Sequence, residues 1–453
     1  MSHAKARRRA CSRAHLLACG LALLLCGHVL AADAAHHDAP LPDLLSMLQW
    51  AEQDDPGLAG ARLAYQADQA GTSRAQAAFL PQVTGSWSRE RNIVKTQALP
   101  SQHHTQRRWQ ISLSQTLFNW DSWTAHQQSE LEQAKSAIRL TQAHQALFLK
   151  VAIAYFGVLS AQEDMTHINA HQASLKQQLE RTKARFARGD ATLIDMRDIE
   201  SAIDRQAVQA TLTDGELLAK RLTLEEFSGR RLARIAPLRA DMEAPMVVPD
   251  DMQRWIARAR NSNFDVQLQL LDKKKALLET SRAKGAYLPT LGLTASHTPA
   301  SGSAHIARTT TNAIGIQLNI PIFSGFDTVH RVRQTLALEE KAGTDLESAE
   351  RSSAAAVRDT FVQLQTSRRR LQGLSDAMQS SRTALEANEI GYRIGGRSEA
   401  DILQAKNAFF TVHRDLTMAR YDIILQGLRL KLLTASLEFQ DVIAVNGLLA
   451  DAP

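Results

Sequence analysis

The histidine pairs are the first candidates for chemistry in this sequence. His36-His37 and His103-His104 are of the residue type that binds transition metals. No cysteine and no Glu-x-x-His motif lies near either pair, so we expect solvated histidines and no metal site. The chain also contains no phosphate-binding loop and no nucleophile elbow. We therefore expect a protein that is not an enzyme, with no catalytic residues and no cofactor.

A second pattern pairs a glycine with an aspartate six positions later, and it occurs twice. Gly189 and Asp195 recur as Gly395 and Asp401, 206 residues further on, from 189 to 395. Glycine favours the left-handed geometry that ends a helix, and aspartate is favoured in the first turn of the next one. The pattern predicts two tight turns between helices, with aspartates that at least cap the returning helix.

The turns belong to a longer repeat. Leu80-Pro81 recurs as Leu288-Pro289, and the strand-like residues 109–113 recur as residues 314–318. Repetition on this scale indicates a duplicated supersecondary unit. Each unit is predicted to contain a helix, two strands, a very long helix, a tip and a returning helix.

The placement of proline predicts the long helices. No proline occurs from 101 to 236 or from 322 to 452, and the residues in these gaps are mostly good helix formers. Apolar and small residues follow alternating spacings of three and four, which is typical of a coiled-coil seam. A continuous helix from Asp121 to Phe186 would be ~100 Å long at 1.5 Å per residue. The seam of the first helix comprises Leu131, Ala134, Ile138, Thr141, Gln145, Phe148, Ala152, Tyr155 and Leu159.

Four segments alternate apolar and polar residues and are predicted strands, at about 80–92, 107–118, 288–298 and 312–323. Polar loops are expected between them, at 91–106 and 298–311. Alternation fits a membrane barrel wall, but a strand half buried in a soluble sheet alternates in the same way. The membrane alternative is favoured by four strands, an export signal and no other apolar stretch as long as a membrane-spanning helix.

Residues 1–32 read as a cleaved export signal, with a basic start, an apolar run and small residues near the cleavage site. A membrane anchor is the alternative, but the run is shorter than the roughly 20 residues that a spanning helix needs.

The segment carries five of the 53 basic residues, so the net charge of the chain falls from +6 to about +1 on its removal. The basic pI is therefore no argument for nucleic-acid binding. Cys11, Cys19 and Cys26 all lie here; lipidation at Cys26 stays open.

These signals divide the chain into five parts. After the signal, the first repeat covers 40–228, a linker with three prolines covers 229–250, and the second repeat covers 251–440. Residues 441–453 are expected to form a C-terminal tail.

Laid out in this order, the chain resembles the TolC family of outer-membrane channel proteins. The similarity extends over about 41–440. It rests on Asp43-Leu44-Leu45 with Asp55-Pro56, on the repeated Leu-Pro, on Phe323-Ser324-Gly325-Phe326, and on the tip sequence 392–398 continuing into Asp401-Ile402-Leu403. The resemblance implies an α+β membrane protein with an internal duplication. Three chains of four strands would form one 12-stranded β-barrel, continued by a periplasmic tunnel of long antiparallel coiled-coil helices.

The resemblance also implies roles at the tips. In such proteins polar links between helix pairs hold the periplasmic entrance closed, and by position Asp195, Tyr392 and Arg397 would make them. Asp401 matches a pore-facing aspartate whose three copies would form a cation-selective ring. The second aspartate of the family pattern is Gln404 here, which puts a two-ring constriction in doubt. Helix capping remains the alternative for Asp195 and Asp401.

The function implied is that of an outer-membrane exit duct with a periplasmic extension in a Gram-negative cell. Its partners would be outer-membrane lipid, two further copies of the chain, a periplasmic adaptor (membrane fusion) protein and an inner-membrane ABC or proton-driven transporter. Protein cargo of a type I secretion system is favoured over drugs or small molecules from an efflux pump. A periplasmic adaptor protein is the alternative from another class, but the duplicated strand pairs argue against it.

Overall fold

The computed structural model describes residues 41–96, 99–232, 234–239, 242, 248–301 and 309–450. The predicted signal, the three cysteines and His36-His37 lie outside these residues. The helices are α1 Leu44–Asp54, α2 Pro56–Gln76, α3 Trp120–Phe186, α4 Leu193–Ser228, α5 Met252–Ser262, α6 Phe264–Gly285, α7 Asp327–Arg393, α8 Glu399–Leu433 and α9 Phe439–Asn446. The strands are β1 Gln82–Thr96, β2 Leu99–Phe118, β3 Thr290–Ser301 and β4 Thr309–Asn319.

The four strands form one antiparallel sheet in the order β1-β2-β3-β4. Within the first unit Trp87 pairs with Trp109, and between the units Ile111 pairs with His297. The two repeats therefore share one sheet. β1 and β4 are its edges within the chain.

The strands of the first unit reach beyond their predicted bounds. The predicted polar loop at 91–106 is mostly strand, because pairing continues to Thr96↔Leu99. Ladder hydrogen bonds join backbone groups, so polar side chains do not end a strand. β4, in contrast, ends at Asn319 and not near 323; Pro321 has no backbone N–H to donate to a ladder.

The long helices agree with the proline gaps. α3 and α7 each contain 67 residues, and the returning helices α4 and α8 contain 36 and 35. Asn119 starts α3 by accepting the backbone N–H groups of Asp121 and Ser122 at 2.9 and 3.3 Å. A helix of 67 residues is ~100 Å long. The structure confirms an α+β fold with an internal duplication.

The segment before each strand pair is two helices rather than one. Asp55 ends α1 and caps α2, where Pro56 is the first residue and the Asp55 carboxylate accepts the Leu58 N–H at 2.6 Å. Asn263 plays the same part between α5 and α6, and it also donates to the Leu433 carbonyl at 2.8 Å. Each break therefore turns the chain at a capping residue.

The main core lies where α3 meets the termini and the linker. Tyr155 is fully buried and donates its hydroxyl to the Ala236 carbonyl at 2.7 Å. Asn446 of α9 donates to the Asp43 carboxylate at 2.8 Å. The expected C-terminal tail thus begins as a packed helix that holds the start of α1.

One helix of the described part of the chain, α3, is long and apolar enough to cross a membrane by length and composition. The expectation that no such stretch follows the signal is therefore wrong. Phe148, Val151 and Phe156 of this helix are between 0 and 4 % exposed. These three apolar side chains are packed in the core of the described chain.

Candidate functional site: the two hairpin tips

The first tip joins α3 to α4 through a left-handed glycine. Gly189 has φ +82° and donates its N–H to the Phe186 carbonyl at 3.0 Å. The next N–H, of Asp190, reaches back to the Arg185 carbonyl at 3.0 Å. This pattern satisfies carbonyls that the helix end leaves unpaired.

The second tip has the same geometry. Gly395 has φ +76° and donates to the Tyr392 carbonyl at 3.1 Å, and Gly396 donates to the Gly391 carbonyl at 2.9 Å. Both glycines have the left-handed conformation expected of them. A side chain at either position would strain the turn.

Asp195 caps α4. The backbone N–H and the hydroxyl of Thr192 donate to its carboxylate at 2.7 and 2.8 Å, while the Asp195 N–H donates to the Thr192 hydroxyl at 3.2 Å. Asp401 repeats this arrangement with Ser398, at 2.8, 2.8 and 3.2 Å. Both aspartates are therefore part of a reciprocal capping box. A gate role for either remains a prediction.

The caps keep both carboxylates ionised. Hydrogen bonds from Thr192 lower the pKa of Asp195, and the charge of Arg185 lowers it further. Ser398 and then Arg397 do the same to the pKa of Asp401. A lowered folded-state pKa adds stability above the ordinary value of 3.8, and this stability is lost as the pH falls through the lowered pKa. Near neutral pH each of the two carboxylates is therefore ionised, and each has an arginine of its own tip beside it.

The two tips enclose an open groove of about 790 Å³. The structure brings three of the predicted gate residues, Asp195, Tyr392 and Arg397, to its wall, together with Gly395. Asp401 does not line the groove. Within one chain the two sets of tip residues therefore lie side by side, but the Asp195 carboxylate is held by Thr192 of its own turn.

Comparison with known proteins identifies the family. The profile described as outer membrane efflux protein (OEP) matches residues 47–230 and again residues 255–436, once in each repeat. The chain belongs to the outer membrane efflux protein family. It lies in the cell outer membrane, and the TolC resemblance is confirmed. An adaptor protein, the alternative class, is not supported.

Named relatives of this outer membrane efflux protein agree with the fold. It is 27% identical to the outer membrane protein TolC of Vibrio cholerae over 89% of this chain and 93% of the relative. It is also 27% identical to the alkaline protease secretion protein AprF of Pseudomonas aeruginosa, over 92% and 89%. The Campylobacter jejuni CmeC outer membrane channel has the same fold, with a TM-score of 0.78 and 15% identity over 91% of this chain and 93% of CmeC.

Each tip of this efflux protein has an arginine in contact with its turn. In the first tip the arginine comes before the turn, and in the second tip it comes after the turn. Arg185 stands in the last turn of α3 and donates to the Asp190 carbonyl at 3.0 Å. Arg397 follows the second turn and packs over Gly391, where an added Cβ would lie 2.8 Å from the Arg397 Cγ. The glycine at 391 therefore makes room for the arginine.

Sequence reasoning missed Arg185, Gly391, Thr192 and Ser398. The two hydroxyl residues carried a usable signal, because Ser or Thr three positions before an acidic residue marks a capping box. The contact of Arg397 with Gly391 had no such signal, since it depends on the path of the turn. Within the described ranges, no group of three or more His, Cys, Asp or Glu residues could hold a metal ion.

Proposed function

We propose that this protein is the outer-membrane exit duct of a tripartite export system and passes protein cargo from an inner-membrane pump and adaptor to the exterior. The observation that carries the proposal is the pairing of a four-stranded sheet with two helices of ~100 Å, each of which forms a hairpin with a shorter returning helix. Such rods are long enough to reach from a membrane-embedded sheet far into the periplasm.

The sheet requires further copies of the chain. β1 and β4 are edges, and unpaired strand edges are not tolerated in lipid. A homotrimer closes the sheet as a barrel of 12 strands, above the eight of the smallest membrane barrels. The apolar side chains of β4 fit this assignment: Ile314 and Ile316 are 80 and 69 % exposed in the single chain.

The hairpin tips are the proposed docking and gating region. Asp195, Tyr392, Arg397 and Asp401 would form polar links that an adaptor loosens, and Gly189 and Gly395 shape the turns around them. An exposed ion pair contributes only about 1 kcal/mol or less, so links of this kind suit an entrance that a partner opens.

Protein cargo is favoured by the relative whose name refers to protease secretion. The alternative cargo is a drug or another small molecule from a proton-driven pump, and the efflux description of the family supports it. Neighbouring genes for an ABC transporter or a proton-driven pump would discriminate between the two.

The first test is single-channel conductance of the purified protein in planar bilayers, with the mass of the unheated oligomer. We expect a trimer with a small, cation-selective conductance. A monomer without conductance would overturn the proposal that the protein is an exit duct.

The cargo is tested in cells that lack a channel of this family. The protein is expressed in these cells together with either a protease-exporting ABC system or a drug pump. Restored drug efflux without protease export would favour the alternative.

A further inference from the structure

Two histidines meet where the two helix hairpins pack against each other. His167 lies on α3 of the first hairpin, and His413 lies on α8 of the second. The His413 Nδ1 and the His167 Nε2 are 3.1 Å apart, and the ring centroids are 4.8 Å apart at 67°. At this distance the N–H of one ring donates a hydrogen bond to the unprotonated nitrogen of the other. The contact therefore holds one proton between the two rings.

The surroundings of the histidine pair are partly apolar. The His167 side chain is 13 % exposed. Phe410 lies 6.3 Å from His167, and Phe409 lies 6.3 Å from His413, both measured between ring centroids. A cavity of about 180 Å³ beside the pair is lined by Phe410 and by His171, whose buried Nε2 has no hydrogen-bond partner in the described part of the chain. Such surroundings disfavour added positive charge.

Few negative charges are available to balance a second proton. On α3, the Glu163 carboxylate is 4.0 Å from the His167 Nε2, and Asp164 is already paired with Arg414 of α8. Among the described residues, Asp415 on α8 and Glu216 on α4 act on the neighbouring Arg414, and Gln206 on α4 hydrogen-bonds to His171. Arg414 adds a positive charge beside the pair. A doubly protonated pair would thus place two cations about 3 Å apart, with the Glu163 carboxylate 4.0 Å from one of them.

We propose that the contact between His167 and His413 is a pH-sensitive link between the two hairpins, made when the pair shares one proton and broken when both rings are charged. The proposal rests on the fold alone. It stands whichever cargo the duct carries.

The direction of the pH effect follows from the burial. Burial lowers the pKa of His167, and His413 lowers it further, while Asp164 opposes the shift. The separated state therefore binds protons more readily than the contact. The contact loses stability as the pH falls below the ordinary histidine value of about 6.5.

A loss of this contact would act on the tips through the long helices. His167 precedes Phe186 on one continuous helix, and ~20 residues of helix span ~30 Å. His413 lies on the helix that leaves the second tip. The Asp164–Arg414 ion pair links the same two helices beside the histidines, so releasing the histidine pair weakens the packing of the lower halves of the two hairpins and lets them move further apart.

The test measures the separation of the hairpins directly. The three cysteines occupy positions 11, 19 and 26, so new cysteines can be labelled selectively once the predicted signal is removed. Lys176→Cys on α3 and Ala408→Cys on α8 are both exposed sites for spin labels. Distances are measured by double electron–electron resonance in the full assembled protein at pH 8 and pH 5. EDTA is present, and singly labelled proteins provide the distances between copies.

We expect one distance at pH 8 and a second, longer population at pH 5, with a midpoint below about pH 6.5. His413→Gln keeps a hydrogen-bonding side chain without a titratable charge and should abolish the second population. His330→Gln, an exposed histidine on α7, is the matched control and should preserve it. If His413→Gln does not assemble, His167→Gln tests the same contact. An unchanged distance at pH 5, or an equal response in the glutamine variant, would overturn the proposal.

Discussion

Single residues at the tips combine a structural task with a proposed functional one. Asp195 and Asp401 hold identical caps in the two repeats, with Thr192 and Ser398 as their partners. From the sequence, each aspartate could either cap a helix or act in the gate. The structure shows that the capping box accounts for the position of each carboxylate. A pore role needs evidence that separates charge from helix capping.

Asp401 provides this separation. Asp401→Asn removes the charge but retains an oxygen that accepts the Ser398 N–H, so it should raise the anion permeability of the channel with α8 intact. Ser398→Ala keeps the charge and removes the cap, which typically costs about 0.5–2 kcal/mol. Reversal potentials in a salt gradient report permeability, and hydrogen exchange at the start of α8 reports the cap. An Asn variant with unchanged selectivity would remove Asp401 from the pore.

At the level of elements, the junction between helices and sheet depends on one glycine. Gly285 ends α6, and an added Cβ would lie 1.9 Å from the Trp120 Cδ1 at the start of α3. The Trp120 indole is fixed there by donating to the Ser281 carbonyl at 3.2 Å.

Gly285→Ala should therefore displace the start of α3 and destabilise the protein by about 1–3 kcal/mol. Gly215→Ala is the control, because nothing lies within 4 Å of an added Cβ at this helical position. Replacing a helical glycine by alanine there should be neutral or stabilising by up to about 1 kcal/mol. Thermal midpoints of the two variants test the contrast, and equal midpoints would contradict it.

The packing of α3 on α6 also relies on a nearly buried charge. The Lys135 side chain is 7 % exposed and pairs with Asp272 of α6. Asp272→Asn should cost about 1–3 kcal/mol, because it removes a charged hydrogen bond from a desolvated ammonium.

Adding Lys135→Met to Asp272→Asn should recover much of that loss, since the desolvated ammonium, which then has only the Glu132 carboxylate at 3.9 Å as its described ion-pair partner, is gone. The exposed pair Lys341 and Asp345 is the control, with side chains 65 and 43 % exposed. Asp345→Asn should change stability by less than about 1 kcal/mol. A thermal midpoint for Asp272→Asn no lower than that of the control would refute the role assigned to Lys135.

The elements differ in how far the sequence predicted them. The 67-residue helices followed from the absence of proline, and the tip turns followed from Gly189 and Gly395, because these are local properties of the chain. The extension of β1 and β2 through residues 91–106 could not be predicted from the sequence. Hairpin pairing depends on hydrogen bonds between backbone groups, and the polar side chains of this segment give no sign of them. The contact of Trp120 with Gly285 was also hidden, since it joins residues distant in sequence.

For the whole molecule, the duplication places one strand pair of each repeat in a common sheet and leaves both outer edges open. The proposed trimer closes these edges, so strand side chains must divide between lipid and the barrel interior. On β4, Ile316 belongs to the apolar set with Ile314 and Leu318, while Gln317 alternates with it.

Ile316→Lys should therefore block assembly in the membrane, because a lysine on the lipid face near the midplane costs about 2–4 kcal/mol in each copy. Gln317→Lys is the matched control; it changes the neighbouring residue on the opposite face and should leave the trimer intact while lowering cation selectivity. The unheated oligomer on gels and the conductance in planar bilayers measure the two effects. A stable, conducting trimer from Ile316→Lys would show that this face of β4 does not contact lipid. Either the opposite face of the strand would then be the lipid face, or the barrel assignment would be wrong.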